Sequence, residues 1–484
     1  MKKRDLPPAR RIYCNRTLNL RSIGAIGYDM DYTLVHYKTS EWERRAYEEL
    51  GKKLGDQGFP VESLSFDPDL VIRGLVVDRF LGNVVKADRF GYVKRAAHGT
   101  RLMDFDAQRE AYSRTLVDLS SERFAFLNTL FEISEGSMYS QLVDFLEEGR
   151  LPGVKGYADL HDRVRQSIDE THLEGELKAE IAARPDLYVE TDPETALAIL
   201  DQRRAGRKLL LITNSEWPYT RAMMSHAFDP HLPPGTTWRD LFSLVLVSAR
   251  KPHFFTDALP FFEVQSDDGL LRLGTGGLRE GKVYVGGSAS LVEKCLGLSG
   301  SEILYVGDHL YVDVRITTEV RRWRTALVVR ELEEELAAFD AFRETERKLA
   351  FLMAEKESLE FEASQTRLAL QRLQGGYGPR PDRPRAELEA ELGRLRARLA
   401  ALDPEIAPLA RAAGEIGSAR WGPLLRAGAD KSHFARQLER YADIYLSRVS
   451  NFLHETPFVY LRSTPGRLPH DLAAGAPGAD PDVS

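Results

Sequence analysis

Four short stretches of the chain are apolar at consecutive positions and stop abruptly at polar residues. IGAIGY at 23–28 runs into Asp29-Met30-Asp31-Tyr32-Thr33, and Leu209–Ile212 runs into Thr213-Asn214-Ser215. LFSLVLVSARKP at 241–252 ends at Arg250 and Lys251, and Ile303–Val306 ends at Gly307 and Asp308. Runs that are apolar throughout, rather than at alternate positions, predict strands buried on both faces. Helix-length segments between them predict a doubly wound parallel α/β sheet, whose sites lie beyond the carboxyl ends of the strands.

About 180 residues separate the first two of these strands, far more than a crossover needs, which predicts an inserted cap. Within it, LVIRGLVVDRFLGNVVKADRFGYVKRAAHG at 70–99 alternates and is broken by glycines, as short strands are. FAFLNTLF at 124–131, MYSQLVDFLEEG at 138–149 and the long segment 157–185 place apolar residues at three- and four-residue steps and read as helices, so the cap is expected to be mostly helical. After Leu332 the chain turns to Glu, Arg, Ala and Leu, divided by GGYGPRPDRPRA at 375–386. Leu388, Leu392, Leu395, Leu399, Leu402, Ile406 and Leu409 step 4-3-4-3-4-3, a seam that fits either an antiparallel hairpin within the chain or a dimer contact. Asp403 as N-cap and Pro404 at the first helical position predict that a new short helix starts there. A last amphipathic helix is expected after Ser432, burying Phe434, Leu438, Tyr441, Tyr445, Val449 and Phe452, before a low-complexity tail, AAGAPGADPDVS, expected to be mobile. The expected layout is a catalytic core at 1–40 and 200–330, a cap at 41–199, a helical hairpin at 331–415, and a C-terminal helix on the core with a flexible tail at 416–484.

Composition narrows the function class. The 484 residues are 43% apolar and 29% charged, as in globular chains. Sixty-six Lys and Arg against 73 Asp and Glu leave a net charge of −7, which disfavours a general polyanion binder, so nucleic acid is not an expected partner. Cys14 and Cys295 are too few for a disulfide framework or a cysteine zinc site, and MKKRDLPPARR lacks the apolar stretch of a signal peptide, which points to the cytoplasm. No run of 18 apolar residues occurs, so no membrane span is expected.

The four strand ends carry a consistent chemistry. Two carboxylates two residues apart at a strand end project to the same side and can share one substrate and one cation. A carboxylate attacking phosphorus needs an acid for the leaving oxygen, a divalent cation against charge repulsion, and fixed donors for the remaining oxygens. Asp29 is then the nucleophile of an aspartyl-phosphate route, and Asp31 the general acid and later base. Thr213, Asn214 and Ser215 offer donors, Lys251 a cation, and Asp308 a hard oxygen ligand for Mg2+.

In that motif order the chain resembles the haloacid-dehalogenase superfamily, and within it the cytosolic purine 5'-nucleotidases that hydrolyse IMP and GMP. The resemblance is carried by NRTLNLRSIGAIGYDMDYTLVHYK, GLVVDRFLGNVVKADRFG, RFAFLNTLF, ITNSEWPYT, ARKPHFF, VYVGGSASLVEKCLG, ILYVGDHLYVDV and RYADIYLSRVSNF. It implies Mg2+ held by the Asp29 carboxylate, the Asp31 carbonyl and Asp308, with Asp313 supporting, and phosphate met by Thr213, Asn214 and Lys251. In the cap it implies Arg165, Asp169 and Lys178, with Ser215 beside them, for base and ribose, His172 near the base and Phe131 stacked on the purine. A dimer or tetramer is implied as well. The chain departs from the family at Leu173, where an aromatic usually follows the histidine. It departs again at VRITTEVRRWRT, which lacks the lysine cluster that binds ATP in the vertebrate enzymes and carries Glu319, and in having no long acidic tail.

The reading of the sequence is therefore a Mg2+-dependent hydrolase of nucleoside 5'-monophosphates. The alternatives are a phosphatase of another small phosphoester, a nucleoside phosphotransferase, and, from another class, a nucleotide-responsive binding or assembly protein. Dehalogenation is disfavoured, because displacing halide needs neither the second acid nor Asp308.

Overall fold

The computed structural model describes residues 6–173, 175–464 and 466, without the side chains of 172 and 173. The tail expected at 473–484 lies outside the described residues. At the centre is a sheet of ten strands: β1 (Tyr13–Cys14), β2 (Ala25–Tyr28), β3 (Lys208–Ile212), β4 (Leu244–Val247), β5 (Phe261–Val264), β6 (Leu271–Leu273), β7 (Lys282–Gly286), β8 (Ile303–Gly307), β9 (Arg324–Val328) and β10 (Ile444–Leu446). Their spatial order is β1-β10-β9-β8-β2-β3-β4-β7-β5-β6. From β10 to β7 the neighbours are parallel; β1, β5 and β6 are antiparallel additions at the two edges.

The continuous apolar runs are explained by burial on both faces. Ile26, Tyr28, Leu209, Leu211, Val245, Leu304 and Val306 belong to one core, and Ala25, Leu210, Ile212, Leu244, Leu246, Ile303 and Tyr305 to the other. Successive side chains point to opposite faces, so both alternating sets have to be apolar. The chain builds outward from β2 through β3, β4 and β7, then returns to β8 on the other side of β2. The strand order reverses between β2 and β8, and there the loops diverge and leave a crevice at the carboxyl ends.

Between β2 and β3 the chain forms a five-stranded antiparallel sheet, with Val76–Asp78, Asn83–Ala87 and Val93–His98 at its middle, and the helices Thr39–Asp56, Ile133–Glu147, Tyr157–Leu173 and Glu176–Ala183. FAFLNTLF is not the expected helix. Phe124–Phe126 is a strand paired with Val76–Asp78, followed by a 3-10 turn at Leu130–Glu132. Phe124 and Phe126 stand two residues apart, and the open edge of Val76–Asp78 supplies main-chain partners that a helix would not use.

The segment after β9 is a helical hairpin, Leu332–Gly375 against Arg385–Gly414. The leucine seam closes within the chain: Leu402 and Ile406 pack on Leu352, while Leu388 and Leu395 are also buried. No break occurs at Pro404 or Pro408, both inside the second arm. Residues 400, 404 and 408 are all exposed, so the carbonyls that the prolines leave without a partner lie on the solvent side. Leu402 and Ile406 stay packed on either side of Pro404, and the arm runs on as one continuous helix. The C-terminal helix is capped by Ser432, whose Oγ accepts from the Ala435 amide at 3.1 Å, but it ends at Tyr441. Ile444 and Leu446 instead enter the sheet as β10, parallel to β9. The apolar spacing changes from helical to alternate after Tyr441, and the open edge of β9 decides the outcome.

Among the described residues, no helix is long and apolar enough to cross a membrane. Leu402→Ala should weaken the hairpin by about 2–5 kcal/mol, the usual cost of a leucine-sized cavity. Amide exchange should then speed up across both arms and stay unchanged in the ten-stranded sheet; equal acceleration in the sheet would show that the hairpin is not an independent unit of stability.

Candidate active site

The crevice between β2 and β8 gathers four of the expected residues. Asp29 follows β2 directly, its amide donating to the Val306 carbonyl at 2.9 Å, so the sheet ladder itself sets its position. Its Oδ1 accepts from the Met30 amide at 2.8 Å, and its Oδ2 lies 2.9 Å from Lys251 Nζ. The same ammonium reaches Asp313 Oδ1 at 2.8 Å and the Tyr305 hydroxyl at 3.1 Å. Asp29, Asp308 and Asp313 are all buried, with carboxylate oxygens within 4.8 Å of one another.

Two glycines make this approach possible. A Cβ on Gly307 would lie 2.4 Å from Asp313 Oδ2, and one on Gly27 would lie 2.8 Å from the Tyr305 ring. Tyr305 crosses β2 over Gly27 and donates to the Ile212 carbonyl at 2.9 Å, which holds its oxygen where Lys251 can meet it. Lys251 is fixed from the other side by Asn214, whose Oδ1 accepts from the Lys251 amide at 2.7 Å and whose Nδ2 donates to the Lys251 carbonyl at 3.2 Å. The loop leading to Lys251 is strained: Ser248 and Arg250 have φ of 45° and 59°. Left-handed non-glycine residues cost roughly 1–3 kcal/mol each and persist where the surroundings over-determine them. Here the Ser248 and Ala249 amides donate to the Ser215 and Thr213 carbonyls, both at 2.9 Å.

Burial dominates the electrostatics. It pushes Asp29 well above the usual carboxylate range, reinforced by Asp313, Asp308 and Asp31 and opposed by Lys251. Asp308 is pushed up to about 7 by burial first and Asp313 next. Burial alone would lower Lys251, but Asp29 and Asp313 hold it well above its ordinary value. Lys251 is ion-paired with two of the three carboxylates, Asp29 and Asp313, and the negative charge of the cluster exceeds what one ammonium offsets. An all-oxygen donor set with excess negative charge fits a hard divalent cation.

Asp31 sits apart from that cluster. Its Oδ1 accepts from the Tyr37 hydroxyl at 2.5 Å and its Oδ2 from the Ser215 hydroxyl at 2.7 Å; the Tyr37 and Tyr219 hydroxyls are 3.0 Å apart. Lys178 Nζ lies 3.4 Å from Ser215 Oγ and 5.4 Å from the Tyr219 ring centroid. Thr213 Oγ1 accepts from the Ser215 amide at 3.0 Å, which leaves the hydroxyl proton to be donated elsewhere.

The remaining cap residues are placed differently. Arg165 Nη1 donates to Glu132 and Glu135, each at 2.9 Å, and Arg165 Nε lies 3.7 Å from exposed Asp169. Phe131 is partly buried and meets Tyr32 edge-on at 4.6 Å and Trp42 at 5.4 Å between centroids. The His172 side chain lies outside the described residues. Sequence reasoning missed Tyr305, Tyr37, Tyr219, Arg73 and Thr129, all in contact with the expected residues or with their partners. Tyr305 was legible as a member of the same alternating set as Ile303, and Thr129 as the head of a T-x-x-E capping box, TLFE at 129–132.

Comparison with known proteins places the chain in a family. The model of the 5' nucleotidase family matches residues 12–473. A 5'-nucleotidase domain-containing protein of Dictyostelium discoideum is 25% identical over 473 residues, covering 95% of this chain and 75% of that protein. The chain belongs to the 5'-nucleotidase family, and with it to the phosphoric monoester hydrolases that act on nucleotide monophosphates.

Gly307→Ala should displace the Asp313 carboxylate from Lys251 and cut turnover by on the order of 10²-fold, the typical cost of misplacing a catalytic group by about 1 Å. Phosphate-release assays beside a melting curve would check it. A folded variant with wild-type turnover would mean that the close approach of Asp313 is dispensable.

Proposed function

We propose that this hydrolase cleaves purine nucleoside 5'-monophosphates such as IMP and GMP through a phospho-intermediate on Asp29, with Mg2+ as cofactor. The observation that carries the reading is the meeting of Asp29, Lys251, Asp308 and Asp313 at the strand-order reversal, with Asp31 and Thr213 on adjoining loops. Asp29, Asp308 and the Asp31 carbonyl would hold the cation, with Asp313 supporting. When bound, Mg2+ supplies the positive charge that keeps carboxylates and phosphate together.

The protein's own groups account for the rest. The Met30 amide fixes one Asp29 oxygen, so the carboxylate presents a defined edge to phosphorus. Lys251, kept charged by its two carboxylate neighbours, stabilises charge on the transferring phosphoryl oxygens, and the Thr213 hydroxyl donates to one of them. As the Asp29 oxygen bonds to phosphorus, the bond from phosphorus to the 5' oxygen breaks and that oxygen takes a proton from Asp31. Water then attacks phosphorus, its proton passes to Asp31, and the bond to Asp29 breaks to release phosphate. Tyr37 and Ser215, donating to the two Asp31 oxygens, orient that carboxyl for both transfers.

The cap supplies the choice of base. Phe131, Arg165, Asp169, His172 and Lys178 all belong to the insertion, whereas the phosphate-handling residues lie at core strand ends. The family and the motif likeness to purine-specific members support the purine reading, as does the proximity of Lys178 to Ser215. The same motif likeness supports a homo-oligomer in the cytoplasm.

Asp29→Asn should lower kcat by about 10³-fold or more, since an amide cannot form the intermediate, while substrate binding survives. Retention of more than about a tenth of wild-type kcat would refute the nucleophile assignment. Chelation with EDTA should abolish turnover and Mg2+ restore it; turnover unaffected by chelation would remove the cation from the account. Phe131→Ala should reduce kcat/KM for IMP or GMP by roughly 5- to 150-fold, the worth of one stacked base, and affect p-nitrophenyl phosphate far less. Equal losses on both substrates would assign Phe131 to the fold, in keeping with its packing on Tyr32 and Trp42.

A further inference from the structure

Asp308 is gripped from the cap at both its carboxylate and its carbonyl. Thr129, 179 residues earlier in the chain, donates from its hydroxyl to Asp308 Oδ2 at 2.9 Å, and Arg73 Nη1 donates to the Asp308 carbonyl at 3.2 Å. Thr129 is in turn fixed. It is the N-cap of the turn Leu130–Glu132, its own amide donates to Glu132 Oε2 at 3.2 Å, and the Asn128 amide bonds to the same carboxylate. Glu132 is held by Arg165 at 2.9 Å. Arg73 pairs through its other terminal nitrogen, Nη2, with Glu331 at 2.5 Å, immediately before the helical hairpin. Thr129 and Arg73 are both buried.

We infer that Thr129 is a positioning residue that orients the Asp308 carboxylate for the cation and so makes cation binding depend on the seating of the cap segment 124–132. The inference rests on Asp308 being a cation ligand. A carboxylate at the end of a strand can rotate about its last bond. One donor fixed on Oδ2 stops that rotation and leaves the other oxygen for the shared space with Asp29 and Asp313. Valine has the shape of threonine without its hydroxyl, so a space-filling role and an orienting role separate cleanly. Outer partners of metal-binding carboxylates typically change metal affinity or activity by 10- to 100-fold.

The test is a Mg2+ titration of the full chain without substrate, read as a shift in melting temperature, for the wild type, Thr129→Val and Thr129→Ser. Valine should weaken Mg2+ binding by about 10- to 100-fold and serine by less than about threefold, with saturating Mg2+ restoring kcat in the valine variant. Valine binding within about twofold of wild type, or serine weakening as much as valine, would overturn the role. Circular dichroism and the Mg2+-free melting temperature establish that each variant is folded. If valine is not, Thr129→Ala against Thr129→Ser decides by the same rule. Asp308→Asn separates the premise from the inference. A retained Mg2+ shift in that variant would remove Asp308 as a ligand, whereas a shift lost there and retained in Thr129→Val would overturn the Thr129 role alone.

Discussion

Three carboxylates buried within 4.8 Å of one another, with one ammonium between two of them, form the constraint on which the rest of the structure depends. Taking charges out of water costs several kcal/mol per ion even after relaxation, and one lysine does not offset three acids. Such a cluster survives only if each member is held by several covalent or hydrogen-bonded supports, and each is. Asp29 is fixed by the sheet ladder, Lys251 by Asn214 and Tyr305, Asp313 by the notch at Gly307 and the His309 amide, and Asp308 by Thr129 and Arg73. The fold stores electrostatic frustration where a divalent cation would relieve it, and that cation would also offset the charge of a bound phosphate.

The same constraint explains how core and cap share the work. The parallel sheet places the clustered polar residues at the carboxyl ends of β2, β3, β4 and β8, where strand direction gathers side chains from distant parts of the sequence. The cap reaches into that group through Thr129 and Arg73 on Asp308 and through Lys178 near Ser215, so the insertion is tied to the site and is not merely a roof over it. Tyr37, just before the insertion, carries the contact to Asp31.

Much of this was legible in the residues. Buried strands announce themselves as runs such as LLLI at 209–212, and the polar residues that end them stand out, so the core and the acids that meet beside it could be read directly. Other features depended on contacts between distant segments and could not. The strand at Phe124–Phe126 is decided by the open edge at Val76–Asp78, and β10 by the edge of β9. Pro404 reads as a helix start, yet the packing of Leu402 and Ile406 on Leu352 keeps the helix continuous. Tyr305 looks like one more core aromatic until Gly27 is seen to make room for its ring. Asn214 reads as a phosphate donor, and its side-chain contact with the Lys251 main chain was not legible. The motif likeness gave Arg165, with Asp169 and Lys178, to base and ribose; its partners in the structure, Glu132 and Glu135, could not be read from the sequence.

The most direct test of the account is to trap the intermediate itself. Enzyme mixed with IMP and Mg2+ is acid-quenched within the first turnover and reduced with borohydride, which converts an aspartyl-phosphate to homoserine, and the chain is then mapped by mass spectrometry. The account predicts homoserine at position 29, absent when IMP is omitted. Modification at another carboxylate, or none at all while phosphate is being released, would contradict it.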